Sequence, residues 1–444
     1  MINLKSLFDA GFHAGLTEME VYLVEDENFS CKVFEQDVDS YSLSVTRGLS
    51  FRGLYEGKMG YTYTEKCEDS SIDFLINSVI SNASIIEKDE KEELYGGDND
   101  YVKLDLYHPE LEKVTPQEKI QFLKEVEAEC KSLDSRVKSV NYCLFTNGTS
   151  KMTLKNSKGL DLHQEQNYAY TYVSVLVSEH DQNKTDGDFI VSADFKKYDA
   201  KSFAKKIVAA AIGQLGAVKV KSGKYPILLK NTVVGDILEA MSDSFSADNV
   251  QKDLSRLKGK LETAIGTDAL TIVDDPHLKD GLGSASFDGE GVATYAKEVV
   301  SNGVLKTYLH SLATSKTFDV QPTGNGFRSG FKSPIVISPS NLYIQPRELS
   351  FDSLAKAIND GIYITEVQGL HAGLNDISGD FSLSASGFLI KNGAVSTAVH
   401  ELTIAGNFFD LLHHIKGIGS DLDFGASSFG SPSLWIDSLR VSGE

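Results

Sequence analysis

Apolar and polar residues alternate along the first hundred positions with two different periods. Apolar residues recur at helical spacing from Leu4 to Leu16 and again from Ile72 to Ala83, which predicts two amphipathic helices. Between them the pattern changes to strict alternation, which is typical of strands with one buried face. The pattern therefore predicts a β-meander between two helices, with strands at residues 20–24, 40–45, 49–55 and 60–64.

A similar order of elements follows a charged connector at residues 87–100. Thr115, Pro116 and Glu118 form a capping box with proline at the first helical position, which predicts a helix beginning there. Strands are predicted near residues 140–145, 151–156 and 168–177, followed by a helix over residues 203–215. Because helix and strands occur in this order twice, we predict two similarly organised α+β units at residues 1–100 and 101–218.

The small, basic segment at residues 216–224 predicts the main domain boundary, with a C-terminal domain at residues 219–444. A short strand at residues 227–229 precedes Asn231, a candidate N-cap. Two helical patterns follow, from Val234 to Phe245 and from Val250 to Leu261. Beyond Leu270 frequent glycines interrupt short alternating segments. The sequence therefore predicts an α+β fold whose C-terminal domain is rich in strands and has a few helices.

The stretch from Gly369 to Leu422 has the clearest local pattern. A glycine-rich turn leads into a strand at residues 381–390, and Lys391-Asn392-Gly393 is a strong hairpin signal. The return strand is predicted at residues 394–404, and a short helix follows from Phe408 to Ile415. These elements predict a glycine loop, a long hairpin and a helix that together form a rigid platform with one irregular rim.

The charge balance excludes several classes of function. The 444 residues carry a formal net charge of -20, and binding of nucleic acid requires clustered Lys and Arg for phosphate contacts. No run of about 18 apolar residues predicts a membrane span. The four cysteines, Cys31, Cys67, Cys130 and Cys143, are too scattered for a disulfide framework or a zinc site. We therefore expect a cytoplasmic protein that binds neither nucleic acid nor a membrane.

Several unusual sequence motifs in the C-terminal half resemble those of one known family. They are GLHAGLN, SGDFS, ASGFLI and TIAGNFFDLL between residues 369 and 412, with weaker matches at VQPTGNG and GSPSLWIDSL. In this order they closely resemble the TldD/PmbA proteins, also called modulators of DNA gyrase and peptide-maturation metalloproteases. The residues of these motifs are specifically similar to those of the PmbA, or TldE, branch.

The resemblance also implies where a metal would lie in the family. Peptidases of the TldD branch have His-Glu-x-x-x-His on a helix, with a cysteine near the C-terminus as the third zinc ligand. In the same register this chain has Leu238, Glu239 and Asp243, so the glutamate is kept without either histidine. The glycine-rich segment at residues 425–430 contains Ser427 and Ser428 and no cysteine. We therefore expect no metal and no cofactor in this chain, and zinc in a TldD-like partner.

The candidate site residues follow from the same comparison. Glu239 and His371 are weak candidates for catalysis, because a lone helical glutamate and a loop histidine more often have structural roles. The candidates for the rim of a peptide cleft are Asp243, Gly324, Asn325, Gly326, Arg328, Gly373, Gly379, Asp380 and Phe381. Pairing at the edge of a sheet, with the strand at residues 381–390 as candidate, would hold an extended peptide through its main chain.

The resemblance implies a metal-free subunit of a two-subunit cytoplasmic peptidase that acts on unfolded or leader peptides. Two alternatives remain open from the sequence. The chain could be a homodimeric hydrolase that uses Glu239, Asp243 and His371 without zinc. It could also be a peptide-binding homodimer without a peptidase partner.

Overall fold

The first sheet of the protein combines strands from the beginning and the middle of the chain. A computed structural model describes residues 2–87 and 93–444. The sheet has the order β3-β2-β1-β4-β5-β6 and is antiparallel throughout. Its strands are β1 (Glu18–Phe34), β2 (Asp37–Tyr55), β3 (Lys58–Thr64), β4 (Val137–Asn156), β5 (Asp161–Glu179) and β6 (Gln182–Val191).

Five α-helices lie in the described residues of this part of the chain, and their apolar faces pack on one face of the sheet. They are α1 (Leu4–His13), α2 (Ile72–Ser84), α3 (Pro109–Glu112), α4 (Pro116–Leu133) and α5 (Ala200–Gly213). Buried residues of α1 and α2 pack against Val21 and Phe51 at one end of the sheet. Those of α4 and α5 pack against Phe29, Phe145 and Val173 at the other end.

The opposite face of the sheet packs against the C-terminal part of the chain. Tyr22, Val24 and Leu154 point to this face and form a small buried cluster with Leu160 and Phe287. The sheet is therefore a central layer between helices and the C-terminal part.

The C-terminal part contains thirteen strands in the described residues. They are β7 (Gly223–Leu229), β8 (Ile272–Asp274), β9 (Lys297–Ser301), β10 (Val304–Leu305), β11 (Gly326–Phe327), β12 (Val336–Ile337), β13 (Leu342–Ile344), β14 (Gly361–Gln368), β15 (Asp380–Lys391), β16 (Ala394–Asn407), β17 (Ile415–Ile418), β18 (Phe429–Gly430) and β19 (Leu434–Ser442). Six of them form a sheet with the order β16-β15-β14-β7-β19-β17, in which β16 also pairs with β19. Five others form the sheet β10-β9-β8-β13-β18, and β11 pairs with β12.

The largest hydrophobic core lies in this part and includes Ile227, Leu238, Phe245 and Leu383. Its helices are α6 (Asn231–Met241), α7 (Ala247–Gln251), α8 (Leu312–Phe318), α9 (Phe351–Ile358), α10 (Leu370–Gly373) and α11 (Phe408–His413). A turn of 3-10 helix at residues 242–245 continues α6. The predicted α+β class and the strand-rich C-terminal part are confirmed.

Several local predictions are also confirmed. Thr115 and Glu118 make the reciprocal bonds of a capping box at the start of α4. Asn392 and Gly393 both have positive φ, 52° and 75°, as a two-residue hairpin turn requires. The return strand predicted at residues 394–404 is present as β16 (Ala394–Asn407).

Other local predictions are wrong. The segments at residues 40–45 and 49–55 belong to the single long strand β2, and residues 25–34 continue β1. The predicted helix from Val250 to Leu261 ends after one turn, because Asp253 and Gly259 have positive φ. Asn231 is the first residue of α6, and Lys230 is its N-cap.

Two further observations concern the connector and the membrane. Residues 88–92 of the predicted connector lie outside the described residues. Beyond them Leu94 is buried, and its backbone N–H donates to the carboxylate of Glu18. Within residues 2–87 and 93–444, no helix is both long and apolar enough to span a bilayer.

Candidate functional site

A large open cleft lies between the first sheet and the C-terminal part. Its volume is about 1550 Å³. One wall consists of β6 and α5, and the other consists of α6, β14, β15 and the loop at residues 421–429. The cleft is therefore formed by segments that are far apart in the sequence.

Helix α6 contributes two carboxylates to this cleft. Its buried residues include Val234, Ile237 and Leu238, and they anchor one face of the helix in the core. Asp236 and Glu239, three positions apart, lie on the opposite face and line the cleft. The amphipathic pattern of α6 therefore fixes which way both carboxylates point.

The glycine-rich loop at residues 425–430 meets this helix at Glu239. The hydroxyl of Ser427 donates a hydrogen bond of 3.0 Å to Oε2 of Glu239. Gly425 has a φ of 56° and contributes to the turn. The structure thus brings together the two segments that the sequence comparison aligns with zinc-binding segments of the TldD branch.

These residues do not fit a zinc ion. The side chain of Leu238 has no lone pair that could bind zinc. It is buried in the largest hydrophobic core, with 1% of its surface exposed. Asp243 does not line the large cleft but borders a second cavity of about 610 Å³. Among the described residues, no group of three or more His, Cys, Asp and Glu side chains is arranged to hold a metal.

The electrostatic character of the cleft is acidic. Among the residues that the structure describes, three lysines contribute to its lining, Lys184, Lys206 and Lys230. The carboxylates that line it are Asp186, Asp188, Asp236, Glu239, Glu366, Glu401, Asp421 and Asp423. Because carboxylates outnumber lysines, the cleft attracts cationic groups and disfavours anionic ones.

Two carboxyl groups in the cleft have raised pKa values. Burial raises the pKa of Asp236, and the nearby charge of Glu239 raises it further. Burial also raises the pKa of Asp186, although hydrogen bonds from the Gly187 backbone and the Gln214 side chain oppose the shift. A cationic ligand near either group would favour its ionised form and lower its pKa.

Strand β6 presents its free edge to the cleft. It is the last strand of the first sheet, and the seven consecutive residues 183–189 all line the cleft. Since neighbouring side chains of a strand point to opposite faces, a continuous run of lining residues means that the edge itself faces the cleft. The carboxylates of Asp186 and Asp188 accept hydrogen bonds from the backbone N–H groups of Gly187 and Phe189.

The strand predicted for edge pairing lies elsewhere in its sheet. Strand β15 is paired with β14 on one side and with β16 on the other, so its main chain is already hydrogen-bonded. The prediction that this strand offers a free edge is therefore wrong. Its side chains still contribute, because Ser384, Ser386 and Phe388 line the cleft.

His371 lies outside the lining of the cleft. Its side chain is exposed on the short helix α10, which rests against α6. The same loop is joined to the end of α6 by a bond of 3.4 Å from the Ser244 hydroxyl to the Asp376 carbonyl. The structure therefore does not bring His371 and Glu239 together in the cleft.

The other rim candidates of this loop stabilise its local structure. Asp380 accepts hydrogen bonds from the side chains of Ser378 and Asn407, both 2.8 Å long. Phe381 is buried in the core. Gly379 has a φ of 78°, which favours glycine, and Cβ on Gly373 would lie 2.3 Å from the Ser382 carbonyl oxygen.

The rim candidates at residues 324–328 lie in the interior. Asn325 is fully buried, and its amide nitrogen donates to Asp274 and to the Ser338 carbonyl. Gly324 and Gly326 are also buried. Arg328 is buried between the first sheet and the C-terminal part, where it borders the second cavity. None of these residues lines the large cleft.

The sequence comparison missed most of the residues in the cleft. The acidic residues of β6 and of the loop at residues 421–423 belong to the lining. A signal for the loop was present in the run Asp421-Leu422-Asp423, directly before the glycine-rich segment. Strand β6 (Gln182–Val191) was not predicted from the sequence, so neither its edge position nor its proximity to α6 was predicted.

Comparison with known proteins places this geometry in a family. Models of the PmbA/TldA metallopeptidase match three consecutive parts of the chain: domain 1 at residues 19–83, the central domain at residues 109–215 and the C-terminal domain at residues 222–443. A metalloprotease PmbA homolog from Buchnera aphidicola is 28% identical over 439 residues, which is 95% of each chain.

Solved structures give the same result. The crystal structure of a proposed modulator of DNA gyrase from Thermotoga maritima is 33% identical, covers 99% of both chains and has a TM-score of 0.92. TldE from Thermococcus kodakarensis shares the fold, with a TM-score of 0.91 at 20% identity, over 99% of this chain and 100% of that one. The chain therefore belongs to the PmbA/TldD metallopeptidase family.

Proposed function

We propose that this chain is the metal-free subunit of a two-subunit cytoplasmic peptidase of the TldD/TldE type. The observation that carries the proposal is the contact between Glu239 and Ser427 beside the buried side chain of Leu238. The segments that would hold zinc in a TldD-like protein meet here without zinc ligands. A TldD-like partner chain would supply the metal and the proton acceptor.

In this proposal the cleft holds part of an extended peptide. Its size suits a peptide rather than a small metabolite, because small-molecule pockets measure about 300–1,000 Å³. The free edge of β6 would pair with the main chain of the peptide, which gives affinity with little dependence on sequence. The backbone N–H groups of Gly187 and Phe189 now donate hydrogen bonds to the carboxylates of Asp186 and Asp188. A peptide that adds a strand at this edge would replace these carboxylates as the acceptor.

The proposal is tested with the purified chain, alone and mixed with a TldD-like chain from the same organism. An unfolded, labelled peptide serves as substrate, with and without a zinc chelator. We expect cleavage only in the mixture, and we expect the chelator to abolish it. His371→Ala in this chain should leave the rate unchanged, because His371 lies outside the cleft.

The alternative of a stand-alone hydrolase makes the opposite prediction. Cleavage by the isolated chain that resists the chelator and is lost in Glu239→Gln would overturn the proposal. Main-chain recognition is tested separately with a peptide that is N-methylated at alternate residues. Unchanged binding of this peptide to the mixture would exclude pairing with β6, since N-methylation removes the peptide's hydrogen-bond donors.

A further inference from the structure

We propose that the side chains of Lys297 and Asn325 join in an intramolecular isopeptide bond, with Asp274 as the group that moves the protons. The reaction releases ammonia and uses only side chains of this chain. We call the three residues the Lys297 cluster. The inference is independent of the proposed function, because the Lys297 cluster does not contribute to the lining of the large cleft.

The fold brings the Lys297 cluster together from three segments. Lys297 is the first residue of β9 and lies directly opposite Asp274, the last residue of β8. Asn325 immediately precedes β11. The side chains of Lys297 and Asp274 are 5% and 0% exposed, and Asn325 is fully buried. The amine is therefore enclosed, with the ring of Tyr295 centred 4.7 Å from its nitrogen.

Hydrogen bonds align the reacting groups. Nζ of Lys297 lies 3.0 Å from Oδ2 of Asp274 and 3.2 Å from Oδ1 of Asn325. The same Oδ2 accepts a bond of 2.8 Å from Nδ2 of Asn325. One carboxylate oxygen therefore contacts both the nitrogen that would attack and the nitrogen that would leave.

The carbon under attack is within reach of the amine. A C=O bond is about 1.2 Å long, so Cγ of Asn325 lies within about 4.5 Å of Nζ. A movement of about 1 Å would bring the two atoms to the near-attack separation of about 3–3.5 Å. The amide and the carboxylate are held by further bonds, from Nδ2 to the Ser338 carbonyl and from the Ser340 N–H to Oδ1 of Asp274. The flexible lysine is therefore the group that moves.

The proton transfers balance within the Lys297 cluster. The ammonium of Lys297 gives one proton to Asp274, and the neutral amine attacks Cγ of Asn325. As the C–N bond forms, the C=O electron pair moves to Oδ1. Asp274 then protonates Nδ2 and takes a second proton from Nζ. The electron pair returns, the Cγ–Nδ2 bond breaks and ammonia leaves. A secondary amide and a protonated Asp274 remain, so no charge stays buried in the cluster.

Another lysine–asparagine contact lacks the carboxylate and serves as an internal control. Nζ of Lys119 lies 2.8 Å from Oδ1 of Asn147, and Lys119 is also buried. Within residues 2–87 and 93–444, no carboxylate is hydrogen-bonded to both of these side chains. The proton cannot be passed from amine to amide there, so we expect no bond between Lys119 and Asn147.

The bond would connect β9 to the segment that reaches the first sheet. Arg328, three positions after Asn325, contacts Glu20 of β1. A covalent link between residues 297 and 325 closes a loop and restricts the unfolded chain, as a disulfide does. The segment that carries Arg328 would therefore stay attached to β9 when the buried ion pairs open.

Peptide mapping of the purified native chain tests the proposal. Trypsin should not cut after Lys297, because its amine is acylated. Residues 280–306 should then remain attached to the peptide 317–328, which contains Asn325. We expect this branched peptide to be lighter than the sum of its two parts by one ammonia. The cut after Lys119 should proceed normally in the same digest.

Three variants test the roles of the individual groups. Lys297→Met removes the amine, and Asp274→Asn keeps the shape of the side chain but cannot carry the proton. Both should release the peptide 317–328 unbranched. Lys306→Met, at an ion pair on the surface, is the matched control and should keep the branch.

The native chain decides the question even if a variant fails to fold. Complete cleavage after Lys297, with release of an unmodified peptide 317–328, would overturn the proposal. A branch that has lost water and maps to Asp274 would also overturn it, because the bond would then use the wrong partner. A branch that persists in Asp274→Asn would exclude Asp274 as the proton carrier.

Discussion

Ser427 and Glu239 are in hydrogen-bond contact although 188 positions separate them in the chain. The hydroxyl and the carboxylate satisfy each other at the point where the helix α6 and the loop at residues 425–430 close one end of the cleft. A zinc-binding relative would need ligand side chains from both segments at this place. Here the helix offers a carboxylate and a buried leucine, and the loop offers a hydroxyl.

This contact leads to a prediction about metal content. After exhaustive dialysis, the purified protein should contain far less than one zinc per chain by mass spectrometry. Ser427→Cys should not change this result, because one thiolate beside Leu238 still leaves fewer than the three or four ligands that zinc requires. Near one zinc per chain in the native protein would show that other side chains bind the metal.

A second prediction concerns the charge of the cleft. A lysine-containing peptide should bind the native chain, or its mixture with a TldD-like chain, more tightly than a matched glutamate-containing peptide. The advantage should decrease as salt is added, because screening weakens the field of the carboxylates. Fluorescence anisotropy at low and high ionic strength measures both effects.

A pair of variants provides the control for this measurement. Glu366→Gln, within the cleft, should reduce the preference for the lysine peptide. Glu348→Gln, at an exposed position outside the cleft, should have no effect. Equal binding of the two peptides would contradict an electrostatic role for the cleft.

The buried contact between Arg328 and Glu20 gives a third prediction. Nη2 of Arg328 lies 2.6 Å from Oε1 of Glu20, and both side chains are almost fully buried. Arg328→Gln should lower the free energy of unfolding by about 1.5–3 kcal/mol, because it removes a charge-assisted hydrogen bond from the buried carboxylate of Glu20, which then keeps only its ion pair with Arg52. Urea denaturation measures the change.

The matched control is an ion pair at the surface that joins the same two parts of the molecule. Lys332 and Glu65 form an ion pair in which both side chains are more than half exposed. Lys332→Gln should therefore change the free energy of unfolding by less than about 1 kcal/mol. Equal effects of the two substitutions would argue against a stabilising role for the buried pair.

Asp288 provides a fourth prediction, on pH dependence. Burial and the nearby charge of Glu290 raise the pKa of Asp288 to about 8. In the unfolded chain an aspartate has a pKa of about 3.9. Between these values the folded protein retains a proton that the unfolded chain releases, so the contribution of Asp288 to stability decreases as the pH rises from about 4 to 8.

The comparison with Asp288→Asn isolates this effect. The variant cannot ionise, and it loses the acceptor for the backbone N–H of Gly326. The stability of the native protein relative to the variant should decrease steadily from pH 5 to pH 8 and change little above pH 8. A difference that does not vary over this range would show that Asp288 ionises with an ordinary pKa.

Local sequence signals predicted the elements that depend on neighbouring residues. The capping box at Thr115 and the turn at Asn392 and Gly393 work within a few positions, and both are present in the structure. The helix predicted from Val250 failed for an equally local reason. Its apolar spacing is helical, but the Ser255 hydroxyl accepts a bond from the Leu257 N–H and the chain turns there.

The residues that line the cleft could not be predicted in the same way, because contacts between segments far apart in the sequence bring them together. Glu239 was identified because its helix resembles a known motif, but its partner wall is β6, whose position follows from the order of the first sheet. Likewise Arg328 looked like part of an exposed glycine loop. Its burial follows from the first sheet packing over it, where it meets Glu20 of β1.

The order of strands in the first sheet also has a consequence during synthesis. Strand β1 ends at Phe34, whereas its neighbour β4 begins at Val137. At about 5–20 residues per second, the ribosome makes the intervening segment in roughly 5 to 20 seconds. For that time the first hairpin has left the ribosome while the edge of β1 is unpaired. The nascent chain therefore exposes the edge of β1 that β4 covers in the folded protein. During this interval the chain is most prone to incorrect strand pairing.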